Sequence, residues 1–243
     1  MPYPFAHPLA VLPLVRPMGR FAVPSALVIG SITPDLWYLV PFISRTESHS
    51  ASALLWFCLP AGLIVYELFH LLLKHPLIAL LPQALARRLG SFTTPAMPVV
   101  PWCAVVASLL VGALTHLVWD GLTHSNNDFG HGRNWLQHAN TVLGTAILCW
   151  WIWRKLRHAP VVQPTVVLSS FARRCTIAML VAAMAASAYW ATADAAPWLS
   201  LDLATLRRFL RSAGMAALGG LCVALLAYCV LWQLRAGRIN SAR

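Results

Sequence analysis

Pro98-Val-Val-Pro-Trp-Cys-Ala-Val-Val-Ala-Ser-Leu-Leu-Val-Gly-Ala-Leu-Thr-His116-Leu-Val-Trp-Asp120-Gly-Leu-Thr-His124 decides the reading of this chain. Up to Leu122 it is long and apolar enough for a membrane-spanning helix, which takes about 20 such residues. Yet it carries a carboxylate and two imidazoles. At about 100° per residue, positions i, i+4 and i+8 fall within an arc of about 80°, so His116, Asp120 and His124 leave one face. Burying an unpaired Asp in lipid has no cheap structural explanation, and intramembrane ionisable groups are by default functional. His116 and His124 lie about 12 Å apart along a helix axis, too far for one ion to reach all three residues. Either Gly121 breaks the helix, or more than one ion is bound.

The rest of the chain supports a membrane setting. Of 243 residues, 59% are hydrophobic and 10% charged, with a mean hydropathy of +0.67, which leaves too few polar residues to cover a water-soluble globule. A soluble enzyme is excluded. Further spans are expected at Ala51–Leu73, Ala139–Trp153, Cys175–Ala193 and Ser212–Leu234. Pro2, Pro4, Pro8, Pro13 and Pro17 block a continuous helix at the start, and Pro24, Gly30 and Pro34 make Phe21 to Ile43 a broken or re-entrant element. Phe21 to Ile32, preceded by Arg16 and Arg20, imitates a signal peptide but has no clear small-residue cleavage site, so it is expected to be retained. The expected fold is all-α, a polytopic bundle of about five spans plus this N-terminal element. Residues 1–157 would hold the site and residues 158–243 a C-terminal pair of transmembrane helices acting as scaffold or interface.

Eighteen Lys and Arg against seven Asp and Glu give a net charge of +11. The bases cluster between apolar runs, where they read as topology signals and lipid contacts and not as a nucleic-acid surface. If Lys74, Arg87, Arg88, Arg154, Lys155, Arg157, Arg173, Arg174, Arg235, Arg238 and Arg243 share one side, that side is cytoplasmic and the loop Thr123–Gln137 faces out. The six cysteines form no C-x-x-C pair and read as small core residues.

The same topology gathers other ligand types. His49 opens one span, His116, Asp120 and His124 close the next, and His138 opens a third, all at the face opposite the bases. Asp35 joins them through a short connection, and His7 does so if the proline-rich segment folds back. Imidazole with carboxylate suits zinc or another borderline divalent ion, and an open coordination position lets such an ion activate water. Hydrolysis is the natural chemistry. A lone His is more often a packing residue than a ligand, so Glu67-x-x-His70, near the basic end of its helix, reads as a local Glu–His contact. His75 and His158 read as solvated. Asn126, Asn127 and Asp128 are well explained by turn chemistry, and with His131 they keep only a minor reading as ligands. Arg133 either holds a phosphate as a fork of donors or is a solvated loop residue.

Tyr3-Pro-Phe-Ala-His7-Pro-Leu-Ala-Val-Leu-Pro13-Leu, Pro24-Ser-Ala-Leu-Val-Ile-Gly30-Ser-Ile-Thr-Pro-Asp35, Ser48-His49-Ser50, His116-x-x-x-Asp120-x-x-Thr123-His124 and Leu136-Gln-His138 together resemble the bacterial membrane family catalogued as domain of unknown function family 4184. The likeness runs in order through the first two thirds of the chain. That family in turn resembles the membrane-bound metal-dependent hydrolases and, more distantly, the zinc-dependent phospholipase C and P1 nuclease group. The resemblance implies a phospholipase C-like multi-metal core for phosphoester cleavage, built from His7, Asp35, His49, His116 and Asp120, with His124 and His138 as a later pair. Two departures reduce the implied count to one or two ions. Val142 stands where the soluble enzymes have a Glu, and Met1-Pro2 is unlike their ligating amino terminus.

The expectation is therefore a multi-pass protein of the bacterial inner membrane, with its metal site facing outward and its C-terminus in the cytoplasm. It would hydrolyse a phosphoester of a lipid or lipid-linked substrate. Asp120 would hold or bridge metal, Asp35, His49 and His116 would complete a first ion, and His7, His124 and His138 would serve a second. The rivals are a transporter or a haem- or ion-binding carrier, and a structural module stapled by metal. A membrane di-iron oxygenase is disfavoured because clustered H-x-x-H-H boxes are absent.

Overall fold

Prolines cut the N-terminal region into short pieces, because each removes a backbone donor and blocks the turn before it. The computed structural model describes residues 6–40, 42–90, 100–124, 132–162, 168–193 and 202–241. It begins with α1 (Pro8–Val11), a 3-10 turn (Leu12–Leu14) and α2 (Val15–Met18). Gly19 then takes a positive φ of 52° that turns the chain. In α3 (Pro24–Gly30), Pro24 lies at the helix start, where its missing N–H is not needed. A 3-10 helix (Thr33–Leu39) follows with Asp35 in its first turn. The stretch expected to be a broken element is thus two short helices.

Next, α4 (Arg45–Ser48) is started by a capping box in which Ser44 and Glu47 bond each other reciprocally. The following helix, α5 (Leu54–Leu80), contains two π-helical segments, Leu54–Cys58 and Leu68–Leu73. Each wide turn precedes a proline, Pro60 or Pro76, and takes up the missing hydrogen bond and the steric demand of the ring. The helix therefore runs past the expected end at Leu73, and Lys74 is buried within it instead of closing it. After α6 (Gln83–Arg88) come α7 (Trp102–His124) and α8 (Gly132–Arg157). The loop expected over Thr123–Gln137 is correspondingly shorter. Then α9 (Ser170–Ala193) leads to α10 (Leu203–Ser241), which starts nine residues before the expected Ser212. Asp202 explains the early start, accepting from the Thr205 N–H at 2.7 Å as a helix cap.

Among the described residues every regular element is helical. Four helices are long and apolar enough to cross a membrane: Leu54–Leu80, Trp102–Leu122, Ser170–Ala193 and Thr205–Arg235. The stretch expected as a further span, Ala139–Trp153, forms the second half of α8, which is not one of these four. Large apolar side chains such as Ile64, Val118, Met179, Trp190 and Val223 face outward, as suits lipid.

The chain divides into two compact units, Met1–His70 with Thr94–Ala159, and Leu71–Thr93 with Pro160–Arg243. In the first, α3 lies against α7 so closely that a Cβ on Gly30 would strike the Leu109 carbonyl, and one on Gly112 would strike the Leu27 carbonyl. Val23, Ala26, Ile29, Tyr66, Val105 and Leu109 pack around this contact. Ser108 ties the chain leading into α3 to α7, donating to the Phe21 carbonyl at 3.0 Å and accepting from the Val23 N–H at 2.9 Å. In the second unit α9 and α10 pair, with Gly220 against Ser187 and Ala183. The Tyr228 hydroxyl donates to the Pro76 carbonyl at 3.1 Å. His75, expected to be solvated, instead stacks on the Trp232 ring at 6.3 Å. No described cysteine is in a disulfide.

Candidate metal centre

The two glycine contacts set the site in place. Because α3 and α7 touch backbone to backbone, the Ser31 carbonyl at the end of α3 reaches His116, which donates its Nδ1–H to it at 2.8 Å. A carbonyl can only accept, so this bond fixes the tautomer and leaves Nε2 with its lone pair. His49 is oriented by its Nδ1, which lies 3.0 Å from the Arg45 carbonyl and 2.9 Å from the Ser48 hydroxyl. The capping box supplies that carbonyl, since it starts the turn that ends on His49.

Both Nε2 atoms point into one buried space and have no hydrogen-bond partner. His49 Nε2 lies 3.5 Å from Asp35 Oδ1 and 3.5 Å from Asp120 Oδ2. His116 Nε2 lies 3.8 Å from each of the same two oxygens. Hydrogen bonds of this type run about 2.7–3.2 Å, so these spacings are too long for good ones. They are close to what metal ligands show: two donors about 2.1 Å from a tetrahedral ion sit about 3.4 Å apart. Asp35, His49 and His116 each bring one ligand atom within 4.8 Å of the others, a grouping that could hold a divalent ion.

His7 adds a second side to the centre. It lies just ahead of α1, its ring stacks on His116 at 3.8 Å, and its Nε2 is 3.7 Å from Asp120 Oδ1. Two groups of possible ligands result, Asp35 with His49 and His116, and His7 with His116 and Asp120. Asp120 turns one oxygen to each. His116, with Nδ1 committed to Ser31, offers a single nitrogen and serves one ion only. The centre is enclosed: His116 is 1% exposed, His7 4% and Asp120 7%.

Five of the residues expected at the site, His7, Asp35, His49, His116 and Asp120, are thus brought together from four segments of the first unit, with His116 and Asp120 both on α7. The side chains of His124, Arg133 and His138 lie outside the described residues. The helix α7 runs unbroken through Gly121 to His124. The Nε2 of His70 lies 3.0 Å from the Ser25 hydroxyl and the ring packs on Tyr66 and Phe69.

The sequence reading missed Arg45, whose Nη2 donates to Asp120 Oδ2 at 2.8 Å. Its signal was present in the string Ser44-x-x-Glu47 just before Ser48-His49. A capping box there starts a helical turn and puts residues 45 and 49 on one face. The role of Ser31 had no signal, since it acts through its backbone.

Electrostatically, His49 is pulled two ways. Burial pushes its pKa down, but contacts with Asp120 and Asp35 outweigh it and raise the value to about 9. Glu47 is held below the usual carboxylate range by its bonds to the Ser44 side chain and backbone.

No curated protein and no solved structure matches the chain significantly. A family model does match, over residues 1–230, so the strings gathered at this centre and the helices around them place the chain in the family described as Domain of unknown function (DUF4184).

Proposed function

We propose that this protein is a membrane-embedded, metal-dependent hydrolase that cleaves a phosphoester in a lipid or lipid-linked substrate. The observation that carries the reading is the pair of buried Nε2 atoms on His49 and His116, each oriented by a backbone carbonyl and each facing the carboxylates of Asp35 and Asp120. Leaving such nitrogens unpartnered costs about 1–3 kcal/mol each, which a cation would offset. Asp35, His49, His116 and Asp120 would hold a first ion, and His7 with the second oxygen of Asp120 would contribute to another. When bound, a divalent ion of the zinc type lowers the pKa of water and polarises a phosphoryl oxygen. The chain's own residues fix the ligand orientations, exclude bulk water around His116 and His7, and leave Arg45 at the more open side. Activation of water makes a Ser or Cys nucleophile unnecessary. The setting among apolar helices favours a lipid substrate. The resemblance to the phospholipase C and P1 nuclease group supports phosphoester cleavage.

The test is metal analysis of the purified protein with phosphodiesterase assays on phospholipids, for the parent, Asp120→Asn and His70→Ala. The parent is expected to hold one or two ions per chain. Asp120→Asn is nearly isosteric and easier to bury, so it should insert and fold but lose metal and activity, because an amide oxygen binds a divalent cation far less strongly than a carboxylate. His70→Ala should keep its metal. Equal metal in the parent and Asp120→Asn would end this reading. Full metal with no hydrolysis of any phosphoester would leave a stapling ion as the better account.

A further inference from the structure

Arg45 is the one Lys or Arg side chain seen on the centre's carboxylates among the described residues. Its guanidinium bonds Asp120 Oδ2 at 2.8 Å, while that oxygen also faces His49 Nε2 and His116 Nε2. The same oxygen is therefore wanted by two cations. An ion bound about 2 Å from Oδ2 would put its double charge within about 5 Å of the guanidinium, where like charges repel strongly in a poorly solvated site. Arg45 can leave, because its side chain is 36% exposed while Asp120 is enclosed. Its backbone cannot, because its carbonyl holds His49 and the capping box holds the turn. The side chain thus has freedom to swing at the mouth from a fixed base.

Charge says where it goes. Asp35 and Asp120 supply two negative charges, whereas one divalent ion with Arg45 supplies three positive ones. The loaded centre carries an uncompensated positive charge, and a second ion would add two more. Guanidinium offers a planar fork of donors that matches phosphate oxygens.

We propose that Arg45 is a two-position cation, which neutralises Asp120 when no divalent ion is bound and, once one is, turns outward to bind a phosphoryl group at the mouth of the centre. The proposal rests on the metal-hydrolase reading and names the residue that would recognise the substrate's anionic group. That group can come from a lipid headgroup or from a free phosphate. The consequence is positive coupling: zinc frees Arg45 for the anion, and by linkage the anion must tighten zinc by the same factor.

The experiment uses the full chain in detergent. Zinc affinity is measured by chelator competition with and without inorganic phosphate, and with short-chain dihexanoyl phosphatidic acid in a parallel arm, for the parent, Arg45→Gln and Arg45→Lys. In the parent, at least one of the two anions should tighten zinc. Coupling with phosphatidic acid alone identifies a lipid headgroup as the source, and coupling with both identifies the phosphoryl group itself. Arg45→Gln should bind zinc about tenfold more tightly in the absence of anion, as a charge-assisted competitor is removed. It should also lose the coupling, with Arg45→Lys falling between. A merely structural role for Arg45 predicts the opposite sign, since a loosened site binds zinc more weakly. If the parent takes up no zinc, the metal reading fails and this proposal with it. Zinc uptake with no coupling to either anion in the parent overturns the proposal alone, and needs no variant to fold. Unchanged or weaker zinc binding in Arg45→Gln overturns it as well.

Discussion

His49 sets how the proposed centre would respond to pH. His49 keeps its charge to a pKa of about 9, against an ordinary value of 6.5, because the attraction of Asp120 and Asp35 exceeds the effect of burial. Its Nε2 is therefore occupied by a proton through neutral pH, and ligation requires neutral imidazole. Zinc affinity should rise as pH increases from about 6 towards 9, with close to one proton released per ion bound in the lower part of that range. Titrations at several pH values in two buffers of different ionisation enthalpy would read the proton directly. An affinity flat across that range would show that His49 is not a ligand. In the absence of metal the sign is reversed. A raised pKa stabilises the fold below pH 6.5, and that contribution is lost as pH climbs through about 9.

At the scale of elements, the centre depends on helices that touch without side chains between them. Gly112→Ala would drive a methyl into the Leu27 carbonyl and to within 2.8 Å of the Ser31 nitrogen. Overpacking of this kind costs about 1–3 kcal/mol, and here it also pushes away the carbonyl that orients His116. Gly121→Ala lies on the same helix, where a Cβ meets nothing within 4 Å. The first variant should melt at a lower temperature and hold less metal, and the second should match the parent in both. Thermal-shift and metal measurements on the pair decide the matter, and equal behaviour would mean that the contact between α3 and α7 does not support the site. Much at this scale could be read from sequence, because it follows from local chemistry: prolines broke the N-terminal region, and apolar runs gave helices. The ends were read less well. Pro76 and Lys74 look like stop signals, but a π-helical turn carries α5 past them. Asp202 caps α10 and starts it nine residues before the expected Ser212. Among the residues gathered at the centre, His7, Asp35, His49, His116 and Asp120 were legible by type and spacing, whereas Arg45 and Ser31 act through contacts made only after folding.

For the molecule as a whole, orientation is the next quantity to fix. We propose that the basic, Trp-rich end of α8, where Arg154 lies over Trp150, Lys155 over Trp151 and Arg157 over Trp153, faces the cytoplasm, as clustered bases beside aromatic anchors favour. An alkaline-phosphatase fusion between residues 124 and 132 is expected to be active and a fluorescent C-terminal fusion to glow, and the reverse pattern would place the centre on the inner side. The two backbone carbonyls that orient His49 and His116 carry a separate consequence, which concerns heredity. A side-chain substitution cannot delete a carbonyl, so the support behind His49 and His116 is silent in any catalogue of chemically suggestive residues. Random mutagenesis with selection for lost zinc should return Gly30 and Gly112 alongside the histidines. The map of damaging changes would then follow the line where two helices meet, and a survey confined to ligands would overlook half of it.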